Sequence, residues 1–95
     1  KGLHVNFAAR KVCVDGRRAE LTLKEYELLL YLIKNRARVV SREELLTKVW
    51  GIDFVGETRT LDMHIGTLRK KLSDDAENAH LIKTVRGVGY RFIGE

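Results

Sequence analysis

The chain has 95 residues, 44% hydrophobic and 33% charged, with 18 Lys and Arg against 13 Asp and Glu for a formal net charge of +5. That balance excludes a disordered chain and fits a single globular domain spanning 1–95, with a modest core that needs no metal or disulfide staple. No apolar run approaches the ~20 residues of a membrane span, no export segment opens the chain, and the lone Cys13 leaves no internal disulfide and fits a reducing, cytoplasmic compartment.

A pI near 9.6 points to an anionic partner. The charge is also segregated. Between 59 and 71, Arg59, Arg69, Lys70 and Lys71 face a single acid, Asp62, and between 81 and 94 Lys83, Arg86 and Arg91 face none. The acids gather at Asp53 and Glu57, and again at Asp74, Asp75 and Glu77.

In chain order, Leu3, Val5 and Phe7, and then Val12 and Val14, alternate with other residues at the period of a half-buried strand. Asn6 to Arg10 supplies a loose first turn. Asp15-Gly16 is a two-residue hairpin turn, since glycine tolerates the positive φ required there. Arg17 to Leu21 is the return strand. Thr22-x-x-Glu25 is a capping box, with Leu21 and Tyr26 placed as a hydrophobic staple, so a helix starts there. From Tyr26 to Ile33 nearly every side of that helix is apolar, which makes it core rather than site. Lys34, Arg36 and Arg38 at its end complement the helix dipole.

A second capping box, Ser41-x-x-Glu44, with Val40 and Leu45 as its staple, opens a helix that runs to Trp50 and stops at Gly51. Gly51 to Thr58 is a loop, and Thr58 is the expected cap of a third helix. On that helix, from Arg59 to Ser73, Leu61, Ile65, Leu68 and Leu72 form one stripe. Arg59, Met63, Gly66, Thr67 and Lys70 lie opposite, with His64, Arg69 and Lys71 on the flanks. A helix docked by leucines and presenting a basic, hydroxylic face of low bulk suits the major groove of DNA. The plain alternative is an amphipathic helix with a solvated outer face. After the polar linker Asp74 to His80, Leu81 to Val85 and Tyr90 to Ile93 are strands joined by the glycine turn at Arg86-Gly87-Val88-Gly89.

Helix, loop and basic helix, followed by a basic hairpin, is the logic of a winged helix-turn-helix. The segments Leu21-Thr-x-x-Glu-Tyr-Glu-Leu-Leu-Leu30, Ser41-Arg-Glu-Glu-Leu-Leu, Val49-Trp50-Gly51, Arg59-Thr-Leu-Asp-Met-His-Ile-Gly-Thr-Leu-Arg-Lys-Lys-Leu72 and Thr84-Val-Arg-Gly-Val-Gly-Tyr-Arg-Phe92 closely resemble the OmpR/PhoB-type effector domain of bacterial two-component response regulators. The resemblance covers essentially the whole chain. It implies an α+β fold with an N-terminal antiparallel four-stranded sheet, three helices and a C-terminal β-hairpin wing. It also implies an N-terminal receiver domain in the full-length protein, a domain that is monomeric in isolation, and head-to-tail pairing on direct repeats of double-stranded DNA.

By that resemblance the helix from Arg59 lies in the major groove and the hairpin tip reaches a minor groove. Arg59, Thr60, Met63, His64, Thr67, Arg69 and Lys70 are then the DNA-binding residues of the helix, and Thr84, Arg86 and Gly87 those of the wing. Arg59, His64, Arg69 and Thr84 look like phosphate contacts, and Arg86 suits the negative potential of a narrow minor groove. Gly66 and Thr67 stand where some relatives carry Arg, and Met63 is larger than the usual small aliphatic residue, so base reading falls to Met63, Thr67 and Lys70. The loop residues Asp53, Phe54, Val55 and Glu57 resemble the transactivation loop that meets RNA polymerase; its acids suit a protein better than phosphate. His4, His64 and His80 are scattered and lack ligand spacing, so no metal or other cofactor is expected. No nucleophile–base pairing or phosphate-cradling loop appears, so no enzymatic activity is expected. The remaining alternative is a winged-helix module that uses the same helix to bind a protein.

Overall fold

A computed structural model describes residues 2–51 and 59–94 of the chain. Strands β1 (Leu3–Asn6), β2 (Lys11–Val14) and β3 (Arg17–Ala19) form an antiparallel sheet in that order. Register pairs Leu3 with Val14 and Val5 with Val12, which gathers the apolar side chains on the inner face. Asp15 and Gly16 have φ of 51° and 83°. Two consecutive positive φ values give a turn whose twist matches the strands it joins.

Four strands were expected in this sheet and it has three. After Ala19 the chain turns into a helix cap, and the Thr22 N–H is taken by the Glu25 carboxylate at 2.9 Å rather than by a neighbouring strand. The next extended pair, β4 (Val40–Ser41), joins the C-terminal sheet instead, with Val40 opposite Tyr90 and Ser41 opposite Gly89.

Helix α1 (Leu23–Lys34) begins with both halves of the expected capping box in place. Its Leu28, Leu29 and Leu32 are buried in the centre of the core. Helix α2 (Arg42–Leu45) is capped by Ser41, whose hydroxyl accepts the Glu44 N–H at 3.0 Å. The reciprocal half of that box differs from expectation, because the Glu44 carboxylate binds Arg38, at 2.9 Å through Oε1, and the Tyr31 hydroxyl. Helix α2 continues as a π-helical turn over Leu46–Trp50 rather than as a regular α-helix. Gly51 ends it with φ of +123°, a backbone conformation open to glycine.

Helix α3 (Arg59–Lys71) ends on a left-handed Ser73 with φ of 58°. The Asp74 N–H donates to Arg69 O at 2.8 Å and the Ser73 N–H to Lys70 O at 3.2 Å, the paired bonds of a Schellman stop. Its expected cap, Thr58, lies outside the described residues. Strands β5 (Ile82–Val85) and β6 (Gly89–Phe92) form the hairpin, and the sheet order is β4-β6-β5. Gly89 is required there. A Cβ at that position would sit 2.0 Å from Val40 O, so only glycine lets β4 lie against β6. Leu61, Ile65, Leu68 and Leu72 join residues of both sheets and the other helices in one buried cluster. Among the described residues no helix is long and apolar enough to cross a membrane.

Candidate nucleic-acid interface

With its leucine stripe buried, α3 presents an outer strip of Arg59, Met63, Gly66 and Lys70, all exposed. Met63 is 67% exposed, a large apolar group held in water with no packing reason to be there. Among the described residues, a Cβ on Gly66 would meet nothing within 4 Å, so none of them requires the absence of a side chain there.

The flank of α3 that faces the hairpin is tied down by two side chains. Arg69 is only 9% exposed. Its Nη2 donates to Ile82 O at 2.8 Å and to Thr84 Oγ1 at 2.7 Å, its Nε donates to Ile82 O at 3.3 Å, and its guanidinium stands 5.8 Å from the centre of the Tyr90 ring. Two helical turns earlier, Asp62 accepts the Tyr90 hydroxyl at 2.6 Å and also binds Arg42 at the start of α2. Thr84 and Tyr90 are direct cross-strand partners, so the two helix residues grip one rung of the hairpin. Burial pushes the Asp62 carboxyl up, but the bonds from Tyr90 and Arg42 outweigh it and hold the group below its ordinary range. Burial and the adjacent carboxylate push Tyr90 up to about 12, so the phenol keeps the proton it donates.

The opposite flank is tied to α1. Glu25 is 3% exposed. Besides capping its own helix, its carboxylate accepts the Thr67 hydroxyl at 2.6 Å and Lys71 Nζ at 2.8 Å. Burial alone would raise its pKa, yet the bonds from Lys71, Thr67 and the Thr22 backbone bring it down to about 2. His64 lies on the same side, its Nδ1 2.8 Å from Thr60 O and its ring edge-to-face with Trp50 at 4.9 Å between centres. Thr60 and His64 are half-buried beneath the strip.

In the hairpin, Arg86, Gly87 and Val88 form an exposed tip, closed by Val88 N–H to Val85 O at 3.0 Å. Gly87 has φ of +77°, which the turn requires. Asp74 fixes the base of the hairpin: its Oδ1 accepts the His80 and Leu81 N–H groups at 2.8 and 3.2 Å, and its Oδ2 accepts Ile82 N–H at 2.8 Å.

The structure thus brings Arg59, Met63 and Lys70 together on one surface and leaves Arg86 and Gly87 exposed on the wing, while the functional groups of Thr67, Arg69 and Thr84 are engaged inside the protein. Asp53, Phe54, Val55 and Glu57 lie outside the described residues. Sequence reasoning passed over Asp62, Glu25, Asp74 and Tyr90 as parts of this arrangement. The one available signal was Asp62, the sole acid in an otherwise basic helix.

The family model described as transcriptional regulatory protein, C terminal, matches residues 16–92. The chain is 47% identical over 93 residues to the transcriptional regulatory protein SrrA of Staphylococcus aureus, covering 97% of this chain and 39% of that protein. Among solved structures, the Klebsiella pneumoniae RstA DNA-binding domain in complex with its RstA box superimposes with a TM-score of 0.86 at 33% identity, over 97% of this chain and 91% of that one. The Thermotoga maritima response regulator DrrB, an OmpR/PhoB homologue, gives 0.89 at 37% identity, over 99% of this chain and 42% of its own.

Proposed function

Because the chain belongs to the family of C-terminal domains of transcriptional regulatory proteins, we propose that it is the sequence-specific, double-stranded DNA-binding output domain of an OmpR/PhoB-type response regulator. One observation carries this reading: an exposed strip with two cations on α3 stands beside a hairpin whose tip presents Arg86, and both are braced from behind. A helix fits the major groove, and an arginine on a projecting turn fits a narrow minor groove.

Within it, Arg59 anchors to phosphate, while Met63 and Lys70 meet base edges, Met63 through contact with thymine methyls. Arg69 and Thr84 position the wing against the helix, and His64 with Thr60 stiffens the first turns of α3. Gly87 holds the tip geometry that aims Arg86. The acidic loop containing Asp53, Phe54, Val55 and Glu57 meets RNA polymerase, because its charge would repel phosphate. The chain spans 39% of the length of SrrA; the full-length protein carries an N-terminal receiver domain, acts in the cytoplasm and pairs head-to-tail on direct repeats, a heterologous contact set by the DNA. The function is binding, with no catalytic step and no cofactor.

Selection of bound sequences from a random duplex pool tests this reading. The wild-type domain should enrich a defined motif. Arg86→Ala should lose affinity most at sites with A·T-rich flanks. Failure to enrich any motif would contradict sequence-specific binding, and equal loss on every flank would contradict minor-groove insertion.

A further inference from the structure

Thr67 sits one helical turn from both Met63 and Lys70, at i+4 and i−3, and so borders the outer strip of α3. It is exposed, yet its hydroxyl is directed inward. Oγ1 is 2.6 Å from Glu25 Oε2 and 3.1 Å from His64 O. A hydroxyl has one proton to donate. The carboxylate is the stronger acceptor and the closer one, and its side chain is 4% exposed, so that proton points into the protein. Lys71 holds the other carboxylate oxygen, Oε1, at 2.8 Å, and the Thr22 N–H binds the same oxygen at 2.9 Å. Glu25 therefore cannot swing away without breaking the cap of α1 and its ion pair. With its one proton committed, Thr67 has no hydrogen bond to donate to a groove, and the group it turns away from Glu25 is its methyl.

We infer that Thr67 reads DNA through its methyl group rather than by donating from its hydroxyl, and that Glu25, a buried residue of α1 behind the outer strip, is the positioning residue that imposes this choice. The inference rests on the reading that α3 occupies the major groove. The chemistry recognised is then the C5-methyl of thymine, the one apolar group on the major-groove edge of a base pair. Together with Met63 it would make an apolar patch on an otherwise cationic helix. Carboxylate recognition of the hydroxyl explains why a threonine can stand at this position without offering a hydrogen bond to a purine. The depressed pKa of Glu25 keeps the arrangement intact throughout the neutral range.

The test compares motifs selected from a random duplex pool by the wild-type domain, Thr67→Val and Thr67→Ser. Valine keeps the methyl and deletes the hydroxyl. It should lower the thermal midpoint, because Glu25 loses a donor, and yet retain the thymine preference. Serine keeps the hydroxyl and deletes the methyl, and it should cut discrimination for thymine over cytosine about fourfold, the equivalent of one buried methyl. Glu25→Ala, with folding checked by circular dichroism, removes the stronger acceptor and leaves only the longer bond to His64 O, so the hydroxyl can turn outward and the preference at that base pair should broaden. Glu25→Ala combined with Thr67→Val should restore it. A Thr67→Val motif that changes while the Thr67→Ser motif does not would overturn the inference. So would a Glu25→Ala motif identical to that of the wild type. A wild-type domain that selects no motif would instead overturn the reading on which the inference rests.

Discussion

Arg69 and Lys70 are consecutive cations on the same helix, and they do opposite things. One is 9% exposed and bonded to the wing; the other stands in solvent on the outer strip. A single step of about 100° around the helix separates a cation bonded inside the protein from one that faces solvent. The same contrast recurs on the far flank, where Lys71 binds the buried Glu25 while Lys70 beside it faces outward. Net charge on a helix is therefore a poor guide to its binding charge. What counts is which cations the fold has already spent.

Breaking that contrast should give the largest effect at Arg69. Arg69→Ala strips Ile82 O and Thr84 Oγ1 of their donor and uncovers the Tyr90 ring. It should cost about 3 kcal/mol in urea unfolding, for a buried carbonyl left without its donor together with lost packing. Lys70→Ala should stay within about 0.5 kcal/mol of the wild type, as an exposed site would. Equal costs at the two positions would contradict the division.

Glu25 tests the other flank through pH. Its pKa falls from an unfolded value of 4.5 to about 2 in the folded protein. A lowered pKa means the unfolded state binds the proton more tightly, so the stabilisation is present above pH 4.5 and drains away as pH falls toward 2. Glu25→Gln should lose on the order of 3 kcal/mol at pH 7 and show a flatter dependence between those limits. Acid titrations of stability that run parallel for the two proteins would show that Glu25 is not the linkage group.

Gly66 sharpens the contrast with the smallest change. None of the described residues opposes a side chain there. Gly66→Ala should stabilise α3 by up to about 1 kcal/mol, since alanine is the better helix former. If the strip approaches DNA closely at this point, the same variant should bind duplex more weakly while being more stable. Tighter or unchanged binding would show that the DNA does not come close at Gly66.

Much of this fold was legible in local sequence. The leucine stripe, the Thr22 capping box, the Asp15-Gly16 turn and the Arg86-Gly87 tip all rest on residues within a few positions of one another, and each stands where local chemistry puts it. The failures share a cause, which is distance along the chain. The β4–β6 pairing joins residues 40 and 90, and the Thr67–Glu25 bond spans 42 positions. Neither leaves a local pattern to detect. Glu44 shows how a local rule is displaced: its spacing from Ser41 fits a full capping box, but Arg38 and Tyr31 compete for the carboxylate and take it. At the candidate site, the pattern gave the face of α3 but not the roles on it, because assigning Arg69 or Thr67 requires knowing which flank meets the wing and which meets α1.

The most direct test of the division between spent and available cations is the salt dependence of duplex binding by the wild-type domain and by Lys70→Ala. The account predicts affinity that falls steeply and linearly in log–log form with salt, with a shallower slope in Lys70→Ala because the interface loses one of its cations. A wild-type affinity insensitive to salt, or a slope that Lys70→Ala leaves unchanged, would contradict it.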